Sequence, residues 1–358
     1  MNKITTLLIT LLFFGFKAHA QMHSGLTIQT IYSEDRGKNI EIYYWYPTEE
    51  ARYDHEFGNN RIFASIKATR DAKIYPGKHP VIALAHGGMR SSFTHSGWIA
   101  AALSKQGYIV VTPKPPQHNE IPPSQAVNEL WLRPSDVRLG LSHLDNIPLL
   151  SQNAARDNIA GVGFFLGGTT MLTLAGGKIS PDKYKASCKQ NGVNIDCPWL
   201  LKNKVDLDNL TNNLFDKVQL DPRITSIVVI NPELTKTLDT QSLADINSRT
   251  TLINLSANTN PTLEPAKAMM SIPKLQTIEI ASATPFSAFS LCTEKGVKIL
   301  SLEGEDEICH EIPNTTRQDN HQRIMAEILG ALGLLRDAKH FGEPSDFKDN
   351  GRQVLEKT

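Results

Sequence analysis

The residues with the most chemical meaning lie in a glycine-framed segment at 163–168, which reads GFFLGG. The apolar run at 158–163 predicts a short buried strand, and the spacing at 166–174 predicts the helix that follows it. A G-x-S-x-G elbow presents a nucleophilic serine at such a strand-to-helix turn, and its glycines leave room for the tight backbone. Both glycines are present here, but the serine position holds Phe165, whose ring has no nucleophilic atom. The segment therefore predicts the frame of a serine elbow without its chemistry.

Four cysteines offer a second kind of chemistry, at Cys188, Cys197, Cys292 and Cys309. An even number is typical of disulfides in exported proteins, and four cysteines allow three connectivities. Proximity along the chain favours Cys188 with Cys197 and Cys292 with Cys309, each pair closing a short polar loop. Neither spacing is C-x-x-C and no histidine pair lies nearby, so the sequence predicts no metal site.

The first twenty residues predict export. Lys3 supplies a positive charge, 4–16 is apolar, and 18–20 (AHA) matches a small-x-small cleavage site. This stretch is short for a membrane span, although an uncleaved N-terminal anchor is the alternative interpretation. No cysteine follows the site, which argues against a lipoprotein. We therefore expect a mature chain that begins at Gln21, is secreted or periplasmic, and has no membrane span after cleavage.

The amino-acid composition and net charge limit which kinds of binding partner are expected. The 358 residues include 37 Lys and Arg and 37 Asp and Glu, so the formal net charge is zero. Nothing in this balance favours a nucleic acid or an anionic membrane as a partner. Hydrophobic residues make up 40% and charged residues 21%, values that are ordinary for a soluble globular protein.

The hydrophobic pattern assigns the elements that would position these residues. Alternation at 26–33 and 39–46 around a turn at 35–37 predicts an antiparallel hairpin. Short apolar runs of the kind found in buried parallel strands lie at 81–86, 108–112, 158–163, 224–231, 250–255 and 275–281. Helical spacing occurs at 97–106, 135–144, 166–174 and 317–335. Strands that alternate with helices after a hairpin predict a doubly wound, mostly parallel α/β sheet.

The predicted organisation is a signal peptide at 1–20, one α/β domain at 21–336 and a polar C-terminal tail at 337–358. Within the domain, about 176–220 is polar and rich in lysine, asparagine and cysteine. We interpret this segment as an insertion over the mouth of the sheet. The tail is charged, and we expect it to be loosely attached.

Three short motifs and two cysteine pairs, in order along the chain, indicate a family. They are 86–94 (HGGMRSSFT), 133–136 (RPSD), 163–168 (GFFLGG) and the two cysteine pairs. They resemble the His-Gly-x-x-x-Ser-x-Phe-Thr, Arg-Pro-x-Asp and Gly-His-Ser-Phe-Gly-Gly motifs of secreted α/β-hydrolases identified as predicted dienelactone hydrolases, relatives of platelet-activating-factor acetylhydrolase. The resemblance covers about 26–335. It implies the α/β-hydrolase fold, with a disulfide-containing insertion after the elbow helix.

The resemblance also shows which catalytic groups are replaced. Members of the family carry the nucleophile where this chain has Phe165. Their catalytic histidine lies in a His-Phe-x-x-Phe stretch seven residues before a cysteine. The corresponding stretch here is 285–289 (PFSAF), before Cys292, so the histidine position holds Pro285.

The family's catalytic acid follows the sixth strand in some members and the seventh in others. These positions look like Asn231, and like Asn258 or Asn260, so every candidate is an amide. The oxyanion donors of the family are backbone N–H groups, which the resemblance places at Gly88 and Leu166. A substitution cannot delete a backbone donor, so the resemblance implies that this pair persists while the degenerate triad does not function.

Other groups could form a rearranged site. The nearby hydroxyls and imidazole by sequence are Thr169, Thr170, Ser91, Ser92 and His95. A hydroxyl in the first turn of a helix, as at Thr169 and Thr170, more often bonds to the backbone. A working nucleophile would also require a base within hydrogen-bond reach.

Four further polar residues lie between positions 86 and 136, and each has a structural interpretation. His86 is expected to orient the oxyanion loop, although it could serve the chemistry itself. His118 and Glu120 could face the mouth of the sheet, but a solvated loop is the simpler interpretation. Asp136 is expected in the first turn of a helix, where a negative charge is favourable.

The sequence thus supports two classes of function. The first is a non-catalytic pseudoenzyme that binds a small ligand or a protein partner through its mouth and the 176–220 insertion. The second is a carboxylic-ester or lactone hydrolase with a rearranged site. No cofactor or metal is implied. We also expect the ring of Phe165 to fill the space that an acyl group would occupy.

Overall fold

A computed structural model describes residues 21–117, 119–189, 193–257 and 262–333, so the predicted signal peptide and tail lie outside the described residues. Ten strands form the sheet: β1 His23–Ser33, β2 Lys38–Thr48, β3 His55–Phe57, β4 Ile66–Arg70, β5 His79–Ala85, β6 Ile109–Lys114, β7 Ala154–Phe164, β8 Ile224–Ile230, β9 Arg249–Leu255 and β10 Leu275–Ile280. Their order across the sheet is β10-β9-β8-β7-β5-β6-β2-β1-β4-β3.

The pairing combines an antiparallel start with a parallel centre. β1 and β2 form an antiparallel hairpin in which Leu26 lies opposite Trp45, and β2 continues antiparallel to β6. From β6 through β5, β7, β8 and β9 to β10, every neighbouring pair is parallel. The predicted mostly parallel α/β sheet with an N-terminal hairpin is therefore confirmed. The short strands β3 and β4 were not predicted, since three and five residues carry too little periodicity.

Helices cover both faces of the sheet. They are α1 Gly97–Lys105, α2 Pro123–Ala126, α3 Glu129–His143, α4 Pro148–Ser151, α5 Leu166–Leu174, α6 Pro181–Ala186, α7 Cys197–Lys202, α8 Thr240–Ala244, α9 Glu294–Glu303 and α10 Arg317–Ala331. Two short 3-10 helices, Phe93–Ser96 and Pro285–Ala288, lie near the carboxyl edge of the sheet. No helix within the described ranges is both long enough and apolar enough to cross a membrane.

The start of α3 corrects one sequence prediction. The helical spacing predicted a helix over 135–144, directly after Pro134, but the helix begins at Glu129 and holds the proline inside it. Leu130 and Trp131 are buried in the core, and their packing extends the helix upstream of the proline. Asp136 therefore lies in the middle of α3, and its predicted place in the first turn is wrong.

The apolar core has two parts, one on each face of the sheet. One face packs against α3 and α5, with Val111, Leu141 and Met171 among its buried side chains. The other packs against α1 and α10, with Ile82 and Ile328 among them. Residues of the central strands alternate between these two clusters, which is why those strands read as continuous apolar runs.

The segment after α5 contains α6 and α7 and is closed by a disulfide between Cys188 and Cys197 (S–S 2.01 Å). The second disulfide joins Cys292 to Cys309. These are the pairs that proximity along the chain favoured. Two disulfides are consistent with a secreted protein.

Candidate functional site

The candidate site lies where the strand order reverses. The chain passes from β5 to β6 on one side and then returns to place β7 on the other side of β5. In open α/β sheets, ligands bind outside the carboxyl ends of the strands at such a switch point. The segments that meet here are the loop after β5, the β7–α5 turn at Phe165, the loop after β8 and the 3-10 helix Pro285–Ala288.

The β7–α5 turn has a strained backbone. Phe165 has φ 50° and ψ −125°, a region that costs a non-glycine residue about 1–3 kcal/mol. Its N–H donates to the carbonyl of Ile230 at 3.0 Å, so the turn is anchored to β8. The glycines on either side are required by close approach: a Cβ at Gly163 would lie 2.2 Å from the carbonyl oxygen of Gly167. A Cβ at Gly167 would lie 2.3 Å from the carbonyl oxygen of Ala85.

Four phenylalanines fill the space around this turn, and we call them the aromatic plug: Phe164, Phe165, Phe286 and Phe289. The ring of Phe165 lies 5.6 Å from that of Phe289 and 6.2 Å from that of Phe286, between centroids. Phe164 lies 6.0 Å from Phe165 with an edge-to-face orientation. These separations are typical of packed aromatic pairs. Phe165 is 3% exposed, so the residue at the apex of the turn is covered rather than presented to solvent.

Pro285 begins the 3-10 helix that contains Phe286 and is followed directly by Phe289. Thr284 precedes it and forms a capping box with Ser287, which fixes the start of the helix. The helix thereby aims Phe286 and Phe289 at Phe165, and the neighbouring His95 stacks on Phe289 at 4.1 Å with nearly parallel rings. Pro285 is buried and offers no group that could accept a proton.

Asn231, the first amide in the predicted acid position, has a structural role. Its Nδ2 donates to Oδ1 of Asn254 at 3.1 Å and to the carbonyl of Leu255 at 3.4 Å. Its Oδ1 accepts from the backbone N–H of Leu255 at 2.9 Å. An amide donates and accepts at once, so Asn231 joins the carboxyl ends of β8 and β9. The other two candidates, Asn258 and Asn260, lie outside the described residues.

The loop that carries Gly88 is held by an arginine. Arg133 of α3 is buried, and its Nη1 donates to the carbonyl of Gly87 at 2.6 Å. Its Nη2 donates to the carbonyl of Gly88 at 3.3 Å. Leu166 is the first residue of α5, directly after the turn. The two backbone groups that the resemblance assigns to an oxyanion-binding pair thus lie on a fixed loop and at a helix start.

Arg133 belongs to a larger buried cluster, which we call the charged network: Arg36, Glu129, Arg133 and Asp136. Arg36, from the β1–β2 turn, contacts Glu129 at 2.7 Å and Asp136 at 2.7 Å. Burial raises the pKa of Asp136 to about 6, although Arg36 acts in the opposite direction. The role of Asp136 is therefore to join α3 to the β1–β2 turn. Its sequence position gave no sign of Arg36, which is one hundred residues earlier.

Glu233 is the residue at this edge that sequence reasoning missed. It follows β8 by three residues and is buried. A Cβ at Gly88 would lie 2.8 Å from its Oε1, so the carboxyl group approaches the Gly88 loop. Burial, and then the charge of Asp196, raises the pKa of Glu233 to about 8, while Arg133 and Arg90 lower it. An acid at this edge therefore exists, and a glutamate just after a predicted strand was the available signal.

The buried imidazoles do not face a nucleophile. Neither ring nitrogen of His86 has a hydrogen-bond partner within the described part of the chain. Burial lowers the pKa of His86 well below 6.5, and the charge of Arg133 acts in the same direction. Burial, together with the charge of Arg317, lowers the pKa of His95 to about 3. His118 lies outside the described residues, and Glu120 is exposed in its loop.

The nearby hydroxyl groups form hydrogen bonds with other oxygen atoms. Thr169 donates to the carbonyl of Glu233, and Thr170 donates to that of Leu166 at 3.0 Å. Ser91 donates to the carbonyl of Gly88 at 3.0 Å, and Ser92 shares a hydrogen bond with the hydroxyl of Thr94. Within the residues described, these bonds reach backbone or hydroxyl oxygens and not an imidazole. Those four hydroxyls therefore lack the adjacent base that activation requires.

The described residues contain no cluster of three or more histidine, cysteine or acidic side chains that could hold a metal ion.

The chain matches no family model, and it matches no curated protein. The arrangement at the carboxyl edge is thus a strained turn closed by an aromatic plug on one side and bordered by buried charges on the other.

Proposed function

We propose that this chain is an exported protein of the α/β-hydrolase fold that has lost hydrolase activity and acts by binding. The fold assignment is supported by the strand order β1-β2-β6-β5-β7-β8-β9-β10 and by the strained glycine-framed turn at the switch point. Export is supported by the N-terminal twenty residues and the two disulfides.

The observation that carries the proposal is the residue type at the apex of the β7–α5 turn. Phe165 stands at the apex in the strained conformation that an elbow gives its nucleophile, and its ring packs against Phe286 and Phe289. The 3-10 helix that contains Phe286 and is followed by Phe289 starts at Pro285. A nucleophile and a base are therefore both missing at the places where the resemblance puts them. Catalytic groups of this kind act as a unit, so their joint loss removes the covalent mechanism.

A filled apex favours a protein partner over a small ligand in the acyl position. A ligand there would have to displace rings whose burial stabilises the fold by roughly 1.5–3 kcal/mol each. The surface that remains for recognition is the segment 176–220 and the loops around it. We therefore propose that binding uses this outer surface and leaves the aromatic plug in place.

The test is labelling of the purified, oxidised mature chain with a fluorophosphonate probe, beside hydrolysis of short aryl esters. We expect no labelling above a heat-denatured sample and no turnover above buffer. The variant Phe165→Ser restores the hydroxyl but not the base, and we expect it to remain inactive as well. Saturable turnover by the unaltered protein would contradict the proposal.

That contradictory outcome would support the alternative, a carboxylic-ester or lactone hydrolase with a rearranged site. The observation in its favour is Glu233, whose buried carboxyl group lies against the Gly88 loop and has a pKa raised by burial. Replacement of Glu233 by glutamine would then abolish the turnover, whereas a contaminating esterase would be unaffected.

A further inference from the structure

The disulfide between Cys292 and Cys309 has a buried cation against one of its two sulfurs. Arg317, the first residue of α10, is 7% exposed, and its Nη1 donates to Sγ of Cys292 at 3.3 Å. The hydrogen bonds of the described residues include none to Sγ of Cys309. Both cysteines are partly exposed, so the disulfide borders solvent while the arginine does not. The two sulfurs therefore have different surroundings.

Arg317 also holds the chain near each cysteine. Its Nη1 donates to the carbonyl of Ser290 at 3.3 Å, and its Nη2 donates to that of Ile308 at 2.6 Å. Cys292 is held a second time by a β-bridge to Phe63. None of these contacts requires the S–S bond, so Cys292 stays beside the guanidinium group when that bond breaks.

The one carboxylate paired with Arg317 leaves this contact in place. Nε of Arg317 donates to Oε1 of Glu311 at 2.7 Å. Oε2 of Glu311 accepts from the hydroxyl of Ser287 and from Nδ2 of Asn320. The charge of Glu311 is thus shared among three donors, and Nη1 of Arg317 donates to other acceptors, one of which is Sγ of Cys292.

This asymmetry decides which sulfur an external thiolate attacks. A neighbouring cation favours a thiolate over a thiol. In thiol–disulfide exchange, the better stabilised thiolate is the faster leaving group. Arg317 would stabilise the thiolate of Cys292, so attack is expected at Sγ of Cys309 with Cys292 as the leaving group.

The attacked cysteine lies in an acidic part of the surface. Five acids and two lysines lie between Cys292 and Cys309 along the chain. Cys309 ends the 3-10 helix Asp306–Cys309, and the acids at or just before this helix are exposed: Glu303, Glu305, Asp306 and Glu307. Opposite charges attract and like charges repel an approaching molecule, so this surface favours a thiol that carries a positive charge.

We propose that Cys309 is a modification site, at which a small cationic thiol forms a mixed disulfide while Cys292 leaves as a thiolate beside Arg317. The incoming thiolate forms an S–S bond with Cys309 as the Cys292–Cys309 bond breaks, and the electron pair of that bond goes to Sγ of Cys292. The incoming sulfur is oxidised and the sulfur of Cys292 is reduced. Attack by Cys292 on the mixed disulfide reverses the step. The site uses no group of the aromatic plug, so it does not depend on whether the protein is catalytic.

The test exposes the full mature protein, with both disulfides formed, to three small thiols that differ in charge: cysteamine, 2-mercaptoethanol and 2-mercaptoethanesulfonate. Exchange is stopped with acid, and free thiols are trapped with a maleimide. Lys295 and Lys298 lie between the two cysteines, so trypsin places Cys292 and Cys309 on different peptides. Mass spectrometry without reduction then shows which cysteine carries the probe. Rates are expressed per thiolate, which removes the different acidities of the three probes.

We expect the probe on Cys309 and the maleimide on Cys292, by about fivefold or more over the reverse, because the stabilised thiolate leaves. Cysteamine should react fastest and the sulfonate slowest at about 0.01 M salt, and the difference should shrink at about 1 M, where charges are screened within roughly 3 Å. Cys188–Cys197 is the reference in the same molecule, since its flanking charges are mixed, with Lys189 beside Cys188 and Asp196 beside Cys197.

Variants separate the two parts of the proposal. Arg317→Gln removes the cation and should abolish the preference for Cys309, whereas Arg317→Lys keeps a cation and should retain it. The double variant Glu305→Gln and Glu307→Gln should reduce the advantage of cysteamine without changing which cysteine is attacked. Asp157→Asn, which changes an exposed acid near the amino end of β7, should alter neither result.

Probe found equally on both cysteines of the unaltered protein, or mainly on Cys292, would overturn the proposal. A sulfonate that reacts as fast as cysteamine at low salt would overturn it as well. If Arg317→Gln fails to fold, Cys188–Cys197 will also exchange rapidly in that sample. The unaltered protein and the double variant then decide the question, because their acids are exposed and their Arg317 is intact.

Discussion

The aromatic plug and the charged network border the same edge of the sheet and hold it by opposite means. The plug consists of rings that pack at 5.5–6.3 Å between centroids, and the histidine that stacks on it is kept neutral by burial. The network consists of charges with side chains only 1–4% exposed, and it fixes the Gly88 loop through Arg133. The difference shows that the positions where the resemblance puts a nucleophile and a base can be apolar while the loops around them remain clamped by ions.

The two regions also differ in how they respond to protons. Burial lowers the pKa of His86 and His95 on the plug side, so acid charges groups that the fold keeps neutral. On the network side, burial raises the pKa of Asp136 from an ordinary 3.8 to about 6, although Arg36 acts in the opposite direction, so a rise in pH through this range charges a buried group. The plug side should therefore lose stability as the pH falls below 6.5, whereas the contribution of Asp136 on the network side should be lost as the pH rises from 3.8 through about 6.

The largest expected effect comes from removing one ion of the network. Arg36→Met leaves Glu129 and Asp136 buried with Arg133 as their nearest cation, so we expect a loss of about 3–5 kcal/mol in the free energy of unfolding. Urea denaturation followed by circular dichroism measures this loss. The matched control is Lys114→Met, because Lys114 and Glu41 form a solvent-accessible surface pair, with side chains 37% and 40% exposed, and such pairs contribute about 0–1 kcal/mol. Equal losses in the two variants would contradict the distinction between a buried network and a surface ion pair.

An intermediate effect is expected on the plug side in acid. The pKa of His95 is about 3 in the folded protein against an ordinary 6.5, so its contribution to stability is present above pH 6.5 and is lost as the pH falls. At pH 5 the expected loss in the free energy of unfolding is roughly 2 kcal/mol, since a shift of one pKa unit corresponds to about 1.4 kcal/mol. His95→Phe keeps a ring against Phe289 and Phe63 but cannot be charged, so its stability should fall less steeply between pH 6.5 and pH 5.

Thermal unfolding across that pH range measures how steeply stability falls with pH in each protein. These slopes are compared, and not the absolute stabilities, because His95→Phe also loses the hydrogen bond from the N–H of Ser290. His310→Phe serves as the control, since His310 is exposed. A slope as steep in His95→Phe as in the unaltered protein would show that His95 is charged or absent from the interior in solution.

The two sides of the carboxyl edge differ in how much of their structure the sequence predicts. The plug side follows from local sequence: an apolar run, a glycine frame and helical spacing predicted the β7–α5 turn, and α5 covers 166–174 as expected. Each of these signals is complete within about fifteen residues. The central strands were foreseen for the same reason, since period and length identify them without tertiary information.

The network side depends on residues that are distant along the chain. Arg36 and Asp136 are one hundred residues apart, and neither position predicts the other. Glu233 has no motif around it, and its pKa is raised chiefly by burial, which exists only in the folded chain. The start of α3 upstream of Pro134 is set by the burial of Trp131, which again is a tertiary effect that overrides a local signal.

The smallest expected effect tests whether the turn at the plug keeps its strain. Glycine ordinarily destabilises a strand or helix by about 0.5–1 kcal/mol relative to alanine, because it is more flexible when unfolded. At φ 50° the preference should reverse, so Phe165→Gly should be more stable than Phe165→Ala by about 1 kcal/mol. Phe164 lies in β7 with no positive φ, so at that position glycine should be the less stable of the two. Denaturant unfolding of the glycine and alanine variants at positions 164 and 165 measures which residue is the more stable at each position. If glycine were also the less stable residue at position 165, the turn would have relaxed in solution and the likeness to a nucleophile elbow would extend only to sequence.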